Sequence, residues 1–193
     1  MKYDGIYYDL MLDYDTSSSV SWAENTYKID EFDAYRPIIV DENIYIKIDD
    51  DEEALMGDFL SLPKHIWSKR AKEIIEAHVL FGIQFFPVII KHRDQEYSDY
   101  FILNCHNIIK TMHRDRSDFT MSRSGLSYFI DSLSLDEDVL DKIPEDQRMI
   151  FVLDEHVSMI LYHEKLVKAL EDENVTGVGF VKVNDWDIGS TFD

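Results

Sequence analysis

The sequence predicts an α+β fold: a mostly antiparallel or mixed sheet built from hairpins, with two main helices packed on it. Three observations carry this expectation. Apolar runs of strand length recur in pairs around turn-forming residues, two amphipathic segments with helical spacing lie between groups of those pairs, and the regular strand–helix alternation of a doubly wound sheet is absent.

From the start, Ile6, Tyr8, Leu10 and Leu12 alternate with Tyr7, Asp9 and Met11 as in a half-buried strand. The polar stretch from Asp13 to Asp33 holds Ser17, Ser18 and Ser19 in a row and has no sustained period, so a loop with room for a short helix is expected. Pro37 to Val40 and Ile44 to Ile48 flank Asp41, Glu42 and Asn43 and predict a first hairpin. From Leu62 the chain predicts a helix with Pro63 in its first turn, where a missing N–H costs nothing, and with Trp67, Ala71, Ile74 and Ile75 on one face. Gly82 allows a change of direction. Phe85 to Lys91 and Tyr100 to Ile109 then predict a second hairpin, central because both its faces are apolar. Pro87 cannot donate to a ladder, so it must lie at a bulge or where that strand is an edge.

The segment from Thr111 to Gly125 is polar and net basic and reads as a loop. Met149 to Leu153 and Val157 to Tyr162 predict a third hairpin around Asp154, Glu155 and His156. Leu166, Val167 and Leu170 mark the second helix, which Asn174 can end in a left-handed conformation, and Gly177 to Val183 reads as a final strand before a tail holding Trp186 and Phe192.

At 193 residues, with 45% apolar and 13% aromatic residues, the chain is long enough and apolar enough to fold as one domain over residues 1–193. Cys105 is alone, so no internal disulfide is possible, and acids at Asp4 and Asp9 interrupt the apolar run a signal peptide would need. A cytoplasmic protein is expected. The net charge of −20 argues against nucleic acid or an anionic membrane as partner and in favour of a basic one, because phosphate binding rests on Lys and Arg. Residues 1–60, 61–130 and 131–193 carry −12, +3 and −11, which places acidic surface on either side of a near-neutral middle.

The residues that carry chemistry form no established motif. No two of the seven histidines make H-x-x-x-H spacing, and only a chance convergence of His106, His113 and Asp115 would give a metal-dependent hydrolase. His113, Arg114 and Asp115 spell a kinase triplet, but Thr120 stands where the partner asparagine belongs and no glycine-rich loop exists. Asp13, Asp15, Ser17, Ser19 and Glu24 match positions 1, 3, 5, 7 and 12 of a calcium-binding helical-hand loop, so a calcium-dependent binding module is an alternative. Against it, Ser18 replaces the glycine of the sharp turn and the preceding residues alternate like a strand. Cys105 sits in an apolar strand, which favours a buried, inert thiol. Neither an enzyme nor a resident metal or cofactor is expected.

The segments Leu62, Pro63, Trp67, Ser68 and Arg70, then Ile83 to Val88, then Tyr100 to Asn104, then Met149 to Phe151, and finally Val175 to Val178 with Phe180, follow one another in an order that resembles the bacterial immunity proteins of polymorphic toxin systems, in particular immunity family eleven. The resemblance covers about residues 60 to 183, leaving residues 1–60 as an acidic N-terminal part and 184–193 as a tail. It implies a protein that binds and neutralises a cognate toxin domain in the cytoplasm by occupancy, without catalysis. A basic toxin surface would fit the charge, and the acidic run Asp49, Asp50, Asp51, Glu52 and Glu53, with Trp22 or Trp186 as aromatic anchor, is the expected interface.

Overall fold

Two large sheets press against each other around a shared apolar layer in the computed structural model, which describes residues 1–23, 32, 35–48, 54–61, 64–78, 81–122 and 128–187. In chain order the elements are β1 (Tyr7–Leu12), β2 (Val20–Trp22), β3 (Ile44–Ile48), β4 (Phe59–Leu60), β5 (Ile66–Ser68), α1 (Lys69–His78), β6 (Ile83–His92) and β7 (Gln95–Cys105). There follow β8 (Ile108–Ile109), β9 (Asp118–Met121), β10 (Tyr128–Ser132), α2 (Glu137–Leu140), β11 (Ile150–Leu153), β12 (His156–His163), α3 (Glu164–Asp172) and β13 (Val178–Lys182). The mixed α+β class is as expected, but the strands divide among a six-stranded sheet, a five-stranded sheet and the separate β9–β10 ribbon. No helix among the described residues is long and apolar enough to cross a membrane.

The six-stranded sheet runs β2-β3-β6-β7-β5-β4, and the Val20 N–H at one edge reaches the Ser61 carbonyl just past the other at 3.4 Å, so the sheet curls almost into a barrel. Alternation then sorts its side chains by face. Ile44, Ile46, Ile48, Leu60, Ile66, Val88, Ile90 and Ile102 fill the inside. Phe59, Trp67, Leu103 and Cys105 point out into the layer shared with α1, α3 and the five-stranded sheet. That second sheet runs β13-β1-β12-β11-β8 and is itself covered on both faces: Ile150, Val152 and Tyr162 meet the near-barrel, while Tyr7, Phe151, Leu153 and Leu161 meet α2 and the ribbon.

Several local expectations hold. The β6–β7 hairpin is central to its sheet, β11 and β12 pair as the third hairpin, Gly82 takes φ 72°, and Asn174 ends α3 at φ 52°. Pro87 precedes Val88, the residue at which β3 begins to pair with β6, and the β6–β7 register shifts just beyond it, between Val88 and Ile90. It therefore lies where β6 has no β3 partner, which is the edge condition set for it.

Three expectations are corrected. The helix begins at Lys69, not at Leu62 or Pro63. Ile66 to Ser68 is strand β5, paired with β4 and β7, so Trp67 packs from a strand and not from a helix face. Ser68 is the residue that caps the helix, its hydroxyl accepting the Ala71 N–H at 3.2 Å while donating to Asp58 at 2.6 Å. Pro63 itself lies outside the described residues. The hairpin expected from Pro37 to Ile48 does not form: β3 pairs in parallel with β6 and antiparallel with β2, and Pro37 to Val40 is not a strand. The turn of the central hairpin is only Arg93 and Asp94, with Arg93 at φ 53°, because cross-strand pairing carries both strands through the polar residues between the two expected runs.

Gly177 shows how closely the two sheets approach. At φ 84° it lies where a Cβ would stand 2.4 Å from the Phe59 carbonyl oxygen and 2.9 Å from Ser17 Cβ. Gly177→Ala should cost at least about 2 kcal/mol of unfolding free energy in a urea titration, from strain and a backbone clash together. Gly179→Ala, whose Cβ would meet only Met11 Cβ at 4.0 Å, should stay within about 0.5 kcal/mol of the parent.

Candidate functional site

A concavity lies where β7 of the near-barrel faces β11 and β12 of the second sheet. It has a volume of about 330 Å³, and Leu103, Asn104 and Cys105 line it on one side, with Val152, Ser158 and Ile160 on the other. Its wall is completed by a strap through Tyr35, and this strap explains why the expected hairpin fails. The carboxamide of Gln84 binds Ile38 twice, accepting its N–H at 2.9 Å and donating to its carbonyl at 3.1 Å. Asn104, paired with Gln84 across the β6–β7 ladder, donates from Nδ2 to the Arg36 carbonyl and to Gln84 Oε1, both at 3.0 Å. Side-chain amides thus take backbone groups that a neighbouring strand would otherwise need. The Tyr35 hydroxyl closes the strap onto the second sheet by donating to the Val157 carbonyl at 3.0 Å.

His65 enters the same cavity from just before β5. Its ring stacks on Tyr162 at 5.9 Å, with Nδ1 2.9 Å from the Tyr162 hydroxyl, and meets Phe59 edge-on at 5.2 Å. Burial, helped by Lys64, pushes the imidazole down to about 4, so it is neutral at physiological pH. Burial also pushes the Cys105 thiol up to about 12, which leaves it a thiol and a poor nucleophile, the inert state that its apolar strand suggested. On β1, burial raises the Asp9 carboxyl to about 7 against the stabilising Leu10 N–H.

The residues singled out in the sequence do not meet in this cavity. Asp49, Asp50, Asp51, Glu52 and Glu53 lie outside the described residues, as does Glu24. Trp22 ends β2, where its backbone pairs with Ile46. Trp186 is only 7% exposed and packs in the core beneath the second sheet with Tyr7, Phe151 and Val183. Among the described residues no three His, Cys, Asp or Glu side chains are grouped to hold a metal, and His106, His113 and Asp115 are not brought together as the hydrolase reading required. In the calcium-like loop, Asp13 accepts the Asp15 N–H at 3.1 Å and the Thr16 hydroxyl at 2.7 Å, while Ser17 is buried and donates to the Phe59 carbonyl at 2.6 Å. The loop joins two strands, so the entering helix of a helical hand is absent, its place taken by β1.

The cavity residues His65 and Asn104, and Gln84 beside them, were not singled out as a site. Each stands inside a segment read as packing, and only a polar side chain at an inward position of an apolar strand, as with Asn104 after Ile102, signals anything beyond it.

A family model described as Immunity protein family (Imm11) matches residues 14–185, most of the chain, and the chain belongs to that family. The match begins far upstream of residue 60, so β2 and β3 fall within the family's span. No curated protein matches the chain.

The two shifted groups pull stability in opposite directions with pH. Asp9 has its folded value raised from 3.8 to about 7, so the folded state holds the extra proton, and the stability this confers is lost as pH rises from about 4 through 7. His65 has its value lowered from 6.5 to about 4, so its contribution is gained across the same range. Asp9→Asn should therefore make unfolding free energy rise between pH 4 and pH 8 relative to the parent, by about 1–3 kcal/mol, in parallel urea titrations. His65→Phe should tilt the curve the other way.

Proposed function

We propose that this protein neutralises a cognate bacterial toxin domain by direct stoichiometric binding inside the cell that makes it, with no catalytic step of its own. The observation that carries this reading is membership of the immunity protein family over residues 14–185. The chemistry of the cavity agrees with it: the thiol is protonated, the nearby imidazole is neutral and stacked, and neither is arranged to activate the other. Inhibition by occupancy asks instead for a rigid scaffold and a surface that one partner recognises.

The acidic run from Asp49 to Glu53 is our choice for part of that surface. It leaves β3 at Ile48, buried inside the near-barrel, and the chain is fixed again at Leu55, whose N–H donates to the Ser18 hydroxyl at 2.9 Å and whose carbonyl accepts the Ser18 N–H at 2.8 Å. Five consecutive acids between two such anchors suit a basic toxin face, where charge raises the encounter rate and disfavours wrong partners. Trp22, on the strand beside β3, is the aromatic residue we add to this surface.

Co-expression with its cognate toxin domain should restore growth, and the purified pair should elute as a complex of fixed stoichiometry; growth arrest despite expression of folded protein would remove the reading. Replacing the five acids by Asn and Gln should slow association about ten-fold or more at low salt and flatten its dependence on ionic strength in stopped-flow measurements. An unchanged rate would move the interface elsewhere while leaving the inhibitory role intact.

A further inference from the structure

β13 ends the five-stranded sheet, paired with β1 on one flank and with no strand on the other among the described residues. The pairing runs unbroken from Val178 to Lys182, without a bulge. Its phase follows from the Asp13 N–H, which donates to the Gly177 carbonyl at 3.0 Å. Hydrogen-bonded pairs then recur at every second position, at Met11 with Gly179 and at Asp9 with Val181. The N–H and C=O groups of Val178 and Phe180, and the N–H of Lys182, therefore point away from β1, and none of them has a hydrogen-bond partner among the described residues. An edge of this kind is a template for another strand unless it is shielded. β13 holds no proline, and its one charged side chain is Lys182 at its end.

Gly179 sits in the middle of this strand for no reason internal to the chain. Unlike Gly82 and Gly177 it does not have a positive φ. A Cβ there would meet only Met11 Cβ, at 4.0 Å, among the described residues. Glycine weakens a strand interior, and where neither backbone angle nor packing asks for it, close approach of another chain is the remaining use for the missing side chain.

We infer that β13 is the edge at which this protein takes an extended segment of its toxin, main chain to main chain, as an added strand of the second sheet, an inference resting on the toxin-binding reading above. The charge around the strand sets the kind of segment. Glu171 and Glu173 stand exposed before its start and Asp185 after its end, while Asp172 is paired with Lys168 at 3.6 Å. A segment with an apolar centre over Gly179 and Lys or Arg at its two ends meets this pattern. A second copy of β13 does not, because pairing in either direction sets acids against acids at both ends.

Amide hydrogen exchange of the isotopically labelled full-length protein, alone and saturated with the purified toxin domain, tests this. In the free protein β1 should protect the Gly179 and Val181 amides and leave those of Val178 and Phe180 open; in the complex the latter two should slow by about ten-fold or more. Three variants read the affinity. Lys182 has φ −64°, the angle proline fixes, and its N–H faces outward, so Lys182→Pro removes an outward donor and spares the β1 ladder. Lys182→Gln removes the charge alone, and Gly179→Val fills the notch. With melting temperatures unchanged, Lys182→Pro and Gly179→Val should each weaken toxin binding by about ten-fold or more, and Lys182→Gln should stay within about three-fold of the parent. A complex in which the Val178 and Phe180 amides stay open, or parental affinity in both Lys182→Pro and Gly179→Val, overturns the inference and leaves the inhibitory role standing. Protection of the same amides that grows with protein concentration and needs no toxin gives the edge to a second copy and overturns it too. Absence of any complex removes the toxin-binding reading itself, and the inference with it.

Discussion

Everything in this structure depends on the requirement that the central strands bury both faces at once. In β5, Ile66 points into the near-barrel and Trp67 into the layer between the sheets, and neither is exposed at all. The same division runs through β7, where Ile102 fills the barrel while Leu103 and Cys105 face the second sheet. A strand with period two can serve two cores only if its register is fixed, because a slip of one residue would exchange the two sets of side chains. Closure of the curled sheet at Val20 and Ser61 helps fix it, and the bulge between Val88 and Ile90 marks where the central hairpin bends to allow that closure.

Burial on both sides leaves polar groups few places to go, and those that remain are spent on connecting parts distant in sequence. Asp58 shows the pattern: one carboxylate accepts from Ser68, Arg70 and the Thr176 N–H, joining β4, the start of α1 and the turn before β13. Those hydrogen bonds and the arginine outweigh the burial that opposes them, so its carboxyl is held below the usual range. Asp4 plays the same part at the other end, accepting the Ser134 hydroxyl and the Leu135 N–H at 2.8 Å each. The N-terminal residues are therefore bound into the body of the fold, with β1 paired to both β12 and β13.

The sequence revealed elements whose causes are local and hid those whose causes are not. Gly82, Asn174 and Pro87 could be placed because a backbone angle or a missing donor acts on the residue itself. The paired β-runs of the second and third hairpins were visible because their partners are near neighbours. Trp67 was misread because the spacing from Trp67 to Ala71 and Ile75 is that of a helix, while the tertiary pairing of Ile66 with Ile102 makes the first part a strand. Ser68, a good cap, was the local signal for the true boundary. The β9–β10 ribbon escaped because its strands are polar and half exposed, with Phe129 and Met121 facing solvent. The cavity was hidden more deeply still, since Tyr35, His65, Asn104 and Ser158 meet only through the register of two sheets.

The charge of the molecule sets a last constraint on the scaffold. With 19 basic and 39 acidic side chains, every ion pair that forms, such as Arg116 with Glu137 at 2.6 Å or Lys72 with Glu76 at 2.6 Å, consumes one acid per cation and leaves the excess of twenty unchanged. That excess opposes compaction through self-repulsion, so the apolar layers must be strong enough to hold the fold against it. Long-range attraction from such a field is indifferent to detail: it accelerates the approach of any basic partner and is screened within about 10 Å at 0.1 M salt. Discrimination between basic partners must then come from features with shape, and among the described residues Ile39, Phe81, Met121 and Phe129 are large apolar side chains that the scaffold leaves exposed. The cavity closed by the Tyr35 strap is another such feature.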